Sequence, residues 1–235
     1  MIGKLYLIPT TLGETEPLEV MPISVKKVVE QIDYYVVENE KSARKFIKNI
    51  YPKKQQPSLK IMLLDKFSQE SETKKYLDVC ALGINVGLLS EAGVPAIADP
   101  GATIVKLAHQ KNIQVVPLVG PSSILLAMMS SGFNGQNFAF NGYLPIDNIA
   151  KRNAIKALEK LSKDKNQSQI FIETPFRNQK MFSELITTLA SNTNLCIATD
   201  ITLNTEFIKT LSVKDWKNQQ PDLHKRPTIF IIHRE

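Results

Sequence analysis

Val86-Gly87-Leu88-Leu89-Ser90-Glu91-Ala92-Gly93-Val94-Pro95-Ala96-Ile97-Ala98-Asp99-Pro100-Gly101 decides how the chain folds. It opens on a short continuous apolar run, the pattern of a strand covered on both faces rather than on one. A loop stiffened by prolines and opened by glycines follows at once, and Thr103–Gln110 beyond it reads as a helix. The same strand–loop–helix unit recurs on either side. Lys4–Ile8, Tyr34–Val37, Ile61–Leu64 and Gln114–Val119 are further continuous apolar runs. Between them, Ser24–Gln31, Ser42–Ile50 and Glu70–Leu82 carry apolar residues at helical spacing, for example Ala43, Phe46, Ile47 and Ile50 on one face. Alternating strands and helices imply an α/β fold with an open parallel sheet.

After Pro121 the order changes. Ser122–Ser130, Ala150–Leu161 and Gln179–Leu189 read as helices, and Asn137–Asn141 and Gln169–Glu173 as strands. Leu195–Thr199, Glu206–Ser212 and Thr228–Ile232 then follow at short separations, so the second half reads as a mixed sheet with antiparallel neighbours. The expected organisation is two α/β domains, residues 1–119 and 120–235, with a parallel N-terminal sheet and a mixed C-terminal one. Lys53–Ser58 and Asp164–Ser168 read as surface loops, and no internal repeat is visible.

At 235 residues, the chain is long enough for two cores, and 43% hydrophobic against 22% charged residues excludes a disordered or low-complexity chain. The uncharged tract from Ile113 to Ile146 is broken by Pro117, Gly120, Pro121, Gly132 and Gly135, so no membrane span is expected. A first strand begins almost at once, without a basic region and long apolar stretch, which points to the cytoplasm. A net charge of +6 favours anionic partners such as nucleic acid. Cys80 and Cys196 lie in apolar runs and read as buried thiols. His109, His224 and His233 lack zinc-ligand spacing; no metal is expected, and His109 reads as a surface residue. Neither Gly-x-Gly-x-x-Gly after the first strand nor a Gly-x-x-x-x-Gly-Lys-Ser/Thr loop is present, which disfavours ordinary dinucleotide and nucleotide-triphosphate enzymes.

Glycine and proline instead gather just past the C-terminal ends of three strands, where open α/β sheets bind ligands. Pro9-Thr10-Thr11-Leu12-Gly13 follows the first strand, Ser90–Gly101 the fourth and Gly120-Pro121-Ser122-Ser123 the fifth. Glycine admits a ligand close to the backbone and proline preorganises the loop. These loops, with Phe138-Ala139-Phe140-Asn141-Gly142-Tyr143-Leu144-Pro145 and Phe171-Ile172-Glu173-Thr174-Pro175-Phe176-Arg177, resemble in order and spacing the successive motifs of the ribosomal RNA small-subunit methyltransferase I family, within the tetrapyrrole methylase superfamily.

The resemblance implies an S-adenosylmethionine-dependent methyltransferase of two α/β domains, with the cofactor in the cleft between them and a homodimer as the assembly. It implies a ribosomal RNA substrate of the small subunit, methylated at a cytidine ribose 2′-hydroxyl. Carried over by residue, cofactor binding falls on Pro9, Thr10, Gly13, Ser90, Glu91, Ala92, Gly93, Pro95, Gly120, Pro121, Ser122, Ser123 and Leu144. Glu91 stands where the family usually has aspartate. Glu38-Asn39-Glu40-Lys41 replaces a Glu-Asp-Thr-Arg run, with Arg44 and Lys45 matching just downstream. Phe176 replaces a histidine, and Thr199-Asp200 an Arg-Glu pair, so the cofactor half matches better than the substrate half.

A ribose hydroxyl is a weak nucleophile and gains from a carboxylate that takes its proton, which makes Glu38, Glu173 and Asp200 the candidate catalytic residues. Each also suits a strand-end charged residue or salt-bridge partner, Asp200 more than the other two. Arg44 and Arg177 suit phosphate binding, since a guanidinium matches phosphate oxygens in pairs. Lys156, Lys160 and Lys163 read as a solvated face opposite Ala154, Ile155, Leu158 and Leu161. Trp216, Phe138, Phe140 and Tyr143 read as core rather than base-stacking residues. Two alternatives stay open: a small-molecule methyltransferase of the same superfamily, and a cofactor-sensing or RNA-binding protein without turnover.

Overall fold

The computed structural model describes residues 2–65 and 68–235. The chain separates into two compact units, Met1–Ser122 and Ser123–Glu235.

In the first unit, strands β1 (Leu5–Ile8), β2 (Tyr34–Val37), β3 (Lys60–Leu63), β4 (Val86–Leu89) and β5 (Val115–Pro117) form a sheet in the order β3-β2-β4-β1-β5. Every pairing is parallel. Helices α1 (Pro17–Val20), α2 (Ile23–Gln31), α3 (Glu40–Ile50), α4 (Glu70–Thr73) and α5 (Ala102–Gln110) connect them. The continuous apolar runs are explained by burial on both faces. Ile8, Tyr35, Val37 and Leu89 pack under Val25, Val29, Phe46 and Ile47 on one side. Leu5, Val36, Val86 and Leu88 pack under Leu77, Ile104 and Ala108 on the other.

The helix expected over Glu70–Leu82 is interrupted: α4 is short, and Asp78–Leu82 is a 3₁₀ turn closed by Gly83 at φ 81°. Leu77 and Cys80, three residues apart, are both buried, and a spacing of three suits the tighter helix. Tyr76 Oη also ties this segment to the end of β3, donating to the Leu63 carbonyl at 2.5 Å.

In the second unit, β6 (Phe138–Tyr143), β7 (Ser168–Ile172), β8 (Asn194–Thr199), β9 (Phe207–Ser212) and β10 (Thr228–His233) form a sheet in the order β6-β7-β10-β8-β9. β6 and β7 are parallel and the remaining pairings antiparallel, the mixed sheet expected. The helices are α6 (Ser123–Ser130), α7 (Asn148–Lys165), α8 (Asn178–Thr188) and α9 (Val213–Trp216). Phe171, Phe230, Phe182 and Trp216 form the centre of the core, and Trp216 Nε1 donates to the Leu195 carbonyl at 2.8 Å.

Helix α7 is longer than the periodicity suggests, because Asp147 caps it through the Ala150 N–H at 2.9 Å. Its lysines at 156, 160 and 163 are exposed as read, but Leu161 is exposed as well. Six residues beyond Ile155, at 3.6 residues per turn, it is carried away from the core, whose stripe continues through Glu159 and Ser162. Tyr143 also departs from its reading as a core residue, being 59% exposed. The β6–β7 register shifts between Phe140 and Tyr143, and Gly142 there takes φ 63°, which turns the ring outward. Cys80 and Cys196 are buried free thiols and His109 is exposed, as read. Among the described residues, no helix is long and apolar enough to cross a membrane.

Candidate active site

Sheet register gathers the site. In β4, Leu89 is paired with Ile8 on one side and Val37 on the other. The next residue of each strand, Ser90, Pro9 and Glu38, therefore leaves the sheet at the same edge. Parallel strands make this the C-terminal edge for all of them, where loop backbones converge on a ligand.

The first and fourth-strand loops are then laced together. Thr10 N–H donates to the Gly93 carbonyl at 2.9 Å, and Ser90 Oγ donates to the same carbonyl at 2.6 Å. Gly93 has φ 76°, and a Cβ there would lie 3.1 Å from the Pro121 carbonyl oxygen, so glycine allows the third loop to close against the second. Gly120 packs directly on Pro9. Pro9, Thr10, Ser90, Gly93, Gly120 and Pro121 are thus brought together as expected.

The Ser90–Gly101 loop stores strain, because Ala96 and Ala98 both take positive φ, 67° and 62°. Asp99 holds the strained backbone, its carboxylate accepting from Ala96 N–H at 2.8 Å and Gly101 N–H at 2.7 Å. Burial nevertheless pushes the Asp99 carboxyl above its ordinary value, those two bonds opposing it. This bracing role was not assigned from the sequence, although an Asp two residues before a glycine in a loop is a usual sign of it.

A cavity of 160 Å³ opens beside Thr10, Gly13, Thr15, Ser42, Ser90 and Glu91. Thr15 Oγ1 lies buried there without a hydrogen-bond partner. Hydroxyls, the Glu91 and Glu14 carboxylates and the Lys45 ammonium line it, a set suited to the ammonium, carboxylate and hydroxyl groups of a nucleoside–amino-acid ligand. Ordinary ligand pockets run to about 300–1,000 Å³, so the volume of this one matches only one end of such a molecule.

Glu38 is half-buried at this edge. Burial raises its carboxyl above the ordinary value, and the negative charges of Asp99 and Glu91 raise it further, while a bond from the Glu91 backbone N–H works against them. Glu91 itself accepts from Ser42 Oγ at 2.6 Å. Its longer side chain, in place of the family's aspartate, reaches helix α3. Asn39 caps that helix, its Oδ1 accepting from Lys41 N–H at 2.9 Å and Ser42 N–H at 3.2 Å. Asparagine and aspartate both cap well, so the altered run after Glu38 keeps the helix start in place. Glu40 pairs with Arg44 at 2.7 Å, and Arg44 also donates to the Gln56 carbonyl.

The other sites expected to act belong to the second unit. Leu144 packs into that unit's core. Glu173 is buried between Arg177, at 2.6 Å, and Lys151, at 3.8 Å. Burial pushes its carboxyl up, but the bonds from Arg177 and the Thr174 N–H and the two cationic charges outweigh this and hold it below the ordinary value. Lys151, 2% exposed, is a residue the sequence reading missed. The signal was a lysine four residues before Ile155, on the stripe that faces the core. Asp200 is likewise engaged, accepting from Arg226 Nε at 2.7 Å and Thr205 Oγ1 at 2.8 Å. Among the described residues no group of three His, Cys, Asp or Glu side chains is arranged to hold a metal ion.

A parallel sheet edged by Gly/Pro loops, followed by a mixed sheet, is the fold of two-domain methyltransferases. The chain is similar to the methyltransferase CobJ, with a TM-score of 0.65 and 14% identity over 99% of this chain and 94% of that one. It is also similar to the uroporphyrin-III C-methyl transferase from Thermus thermophilus complexed with S-adenyl homocysteine, with a TM-score of 0.60 and 13% identity over 99% and 98% of the two chains. No family model matches the chain. Curated relatives do: the "Ribosomal RNA small subunit methyltransferase I" of Bacillus subtilis (strain 168) is 32% identical over 221 residues, 93% of this chain and 71% of the relative. The protein of the same name from Buchnera aphidicola subsp. Schizaphis graminum is 27% identical over 98% of this chain and 78% of its own. The chain belongs to the ribosomal RNA small subunit methyltransferase I family and is an S-adenosylmethionine-dependent methyltransferase.

Proposed function

We propose that this chain methylates a cytidine ribose 2′-hydroxyl in the RNA of the small ribosomal subunit. Its relatives carry that ribosomal subunit in their names, and the +6 charge suits a polyanionic substrate. The observation that carries the reading is the convergence of Pro9, Glu38 and Ser90 at one sheet edge, with a half-buried carboxylate beside the loops.

The cofactor, when bound, supplies a methyl group on an electrophilic sulfonium. Thr10, Gly13, Ser90, Glu91, Gly93, Gly120 and Pro121 are the residues we assign to holding it, with Gly93 and Gly120 letting the three loops pack closely enough to present their backbones together. Positioning of this kind, with water excluded, carries much of the rate of a displacement that needs no covalent intermediate. Glu38 takes the proton from the ribose hydroxyl at its carboxylate. Its raised affinity for a proton makes it a better base than an ordinary glutamate. Glu173 and Asp200, each already bound to an arginine, serve instead to orient Arg177 and Arg226, and Arg177 and Arg44 face the RNA phosphates.

We place the reaction in the cytoplasm and read the assembly as a homodimer, which the exposure of Met129, Ile146 and Ile149 on the second unit supports. Sedimentation of the purified chain tests the dimer. The substrate is tested by treating methylated RNA with alkali: a 2′-O-methyl group blocks strand cleavage on its 3′ side, leaving a gap in the ladder at one cytidine. Cleavage at every cytidine rules the ribose target out.

A further inference from the structure

Phe176 takes the place of a histidine in the motif after β7, and its ring is 71% exposed. Its loop is nevertheless braced. Arg177 N–H donates to the Thr174 carbonyl at 2.8 Å, and Lys225 N–H donates to the Pro175 carbonyl at 3.1 Å. Lys225, at φ 59°, sets its Nζ 5.9 Å from the centroid of the Phe176 ring. Arg177, the next residue, is anchored by Glu173 and keeps 37% of its side chain exposed. Tyr143, 59% exposed, pairs with Ile172 at the end of β7, so it leaves the sheet where the Phe176 loop begins. It also lies within electrostatic reach of Arg177.

Two open aromatic rings and two cations therefore stand at one edge of the second unit's sheet. Aromatic side chains are stacking surfaces for unpaired bases, and cations beside them meet the phosphates of the same strand. An aliphatic protein partner would gain little from a ring with an ammonium over it, whereas a polyanion gains from both. We propose that Phe176 is a platform on which one unpaired base of the RNA substrate stacks, with Lys225 and Arg177 holding the adjoining phosphates. This rests on the RNA reading above and adds a specific subsite to it.

Phe176→Ala and Phe176→Trp test it, both at an exposed position where folding is not at stake. Phe176→Ala is expected to raise the RNA concentration for half-maximal methyl transfer by about tenfold or more, leaving that for S-adenosylmethionine unchanged. Phe176→Trp is expected to restore the wild-type value, and its emission to be quenched by a single-stranded oligoribonucleotide but not by an RNA duplex, against the constant background of buried Trp216. Wild-type transfer to small subunits, with an unchanged RNA requirement in Phe176→Ala and unquenched tryptophan, overturns the platform alone. Absence of transfer to RNA by the wild-type enzyme overturns the RNA reading and the platform with it.

Discussion

Gly120 lies against Pro9 so closely that a Cβ added to it would sit 2.2 Å from the proline Cγ. The loops after β1 and β5 are thereby locked together at the edge where Ser90 and Glu38 emerge, and the loop after β4 closes on them through Gly93. Space at this edge is set by backbone, so a single methyl group changes it.

Gly120→Ala should therefore weaken S-adenosylmethionine binding by at least about tenfold and cost roughly 1–3 kcal/mol of stability, the range for forced overpacking. Gly93→Ala should behave alike, adding the strain of a left-handed alanine. Calorimetric titration of the cofactor and thermal unfolding measure the two effects separately. Cofactor affinity equal to wild type in both variants would mean that these loops do not hold it.

Glu38→Gln should lower kcat by roughly 10²–10⁴, the span of a lost general base, with cofactor affinity retained. In the wild type, the rate should rise with pH through a midpoint above the ordinary 4.5. The stability effect runs in the opposite sense. Because Glu38 holds its proton more tightly folded than unfolded, its ionisation opposes folding at every pH above those values. Melting temperature should accordingly be higher for Glu38→Gln at pH 7, and the gain should vanish in acid below the unfolded value. A variant that melts lower at pH 7 would contradict the environment described for this carboxylate.

Glu173→Gln removes the carboxylate that lies 3.8 Å from the buried Lys151 ammonium. Breaking a buried pair from one side typically costs about 3–5 kcal/mol. Glu173 is held below 4.5, so it stabilises the fold above that pH, and the contribution is lost as pH falls through the lower, folded value. Denaturant unfolding of wild type and variant should differ at pH 7 and converge in acid. Equal midpoints at pH 7 would show that the ion cluster adds nothing.

Asn39→Ala should destabilise by about 1 kcal/mol through the lost cap of α3, and Asn39→Asp should not. If both unfold like wild type, the helix start is held by something other than Asn39.

Much of this was legible because burial writes itself into composition. Strands covered on both faces, such as Val86–Leu89, can only be apolar throughout, and a loop that must turn at Gly93 beside Pro121 needs its glycine and prolines. What was not legible depended on tertiary partners. No local pattern says that Glu173 faces Lys151, since the two are 22 residues apart in sequence and meet only when α7 packs on β7. Tyr143 lies beyond the strand read over Asn137–Asn141, and the register shift with a left-handed Gly142 that brings it to the surface is set by pairing with β7 rather than by any local pattern. Glu38, Glu173 and Asp200 all read as carboxylates at or just past strand ends; only their neighbours distinguish a carboxylate beside other negative charges from two bound to arginine.

The most direct measurement is transfer of labelled methyl groups from S-adenosylmethionine to small ribosomal subunits from cells lacking this protein, with subunits from producing cells alongside. The account predicts saturable incorporation into the deficient subunits alone, at a single cytidine ribose. Cofactor binding with no incorporation into either set of subunits would contradict it.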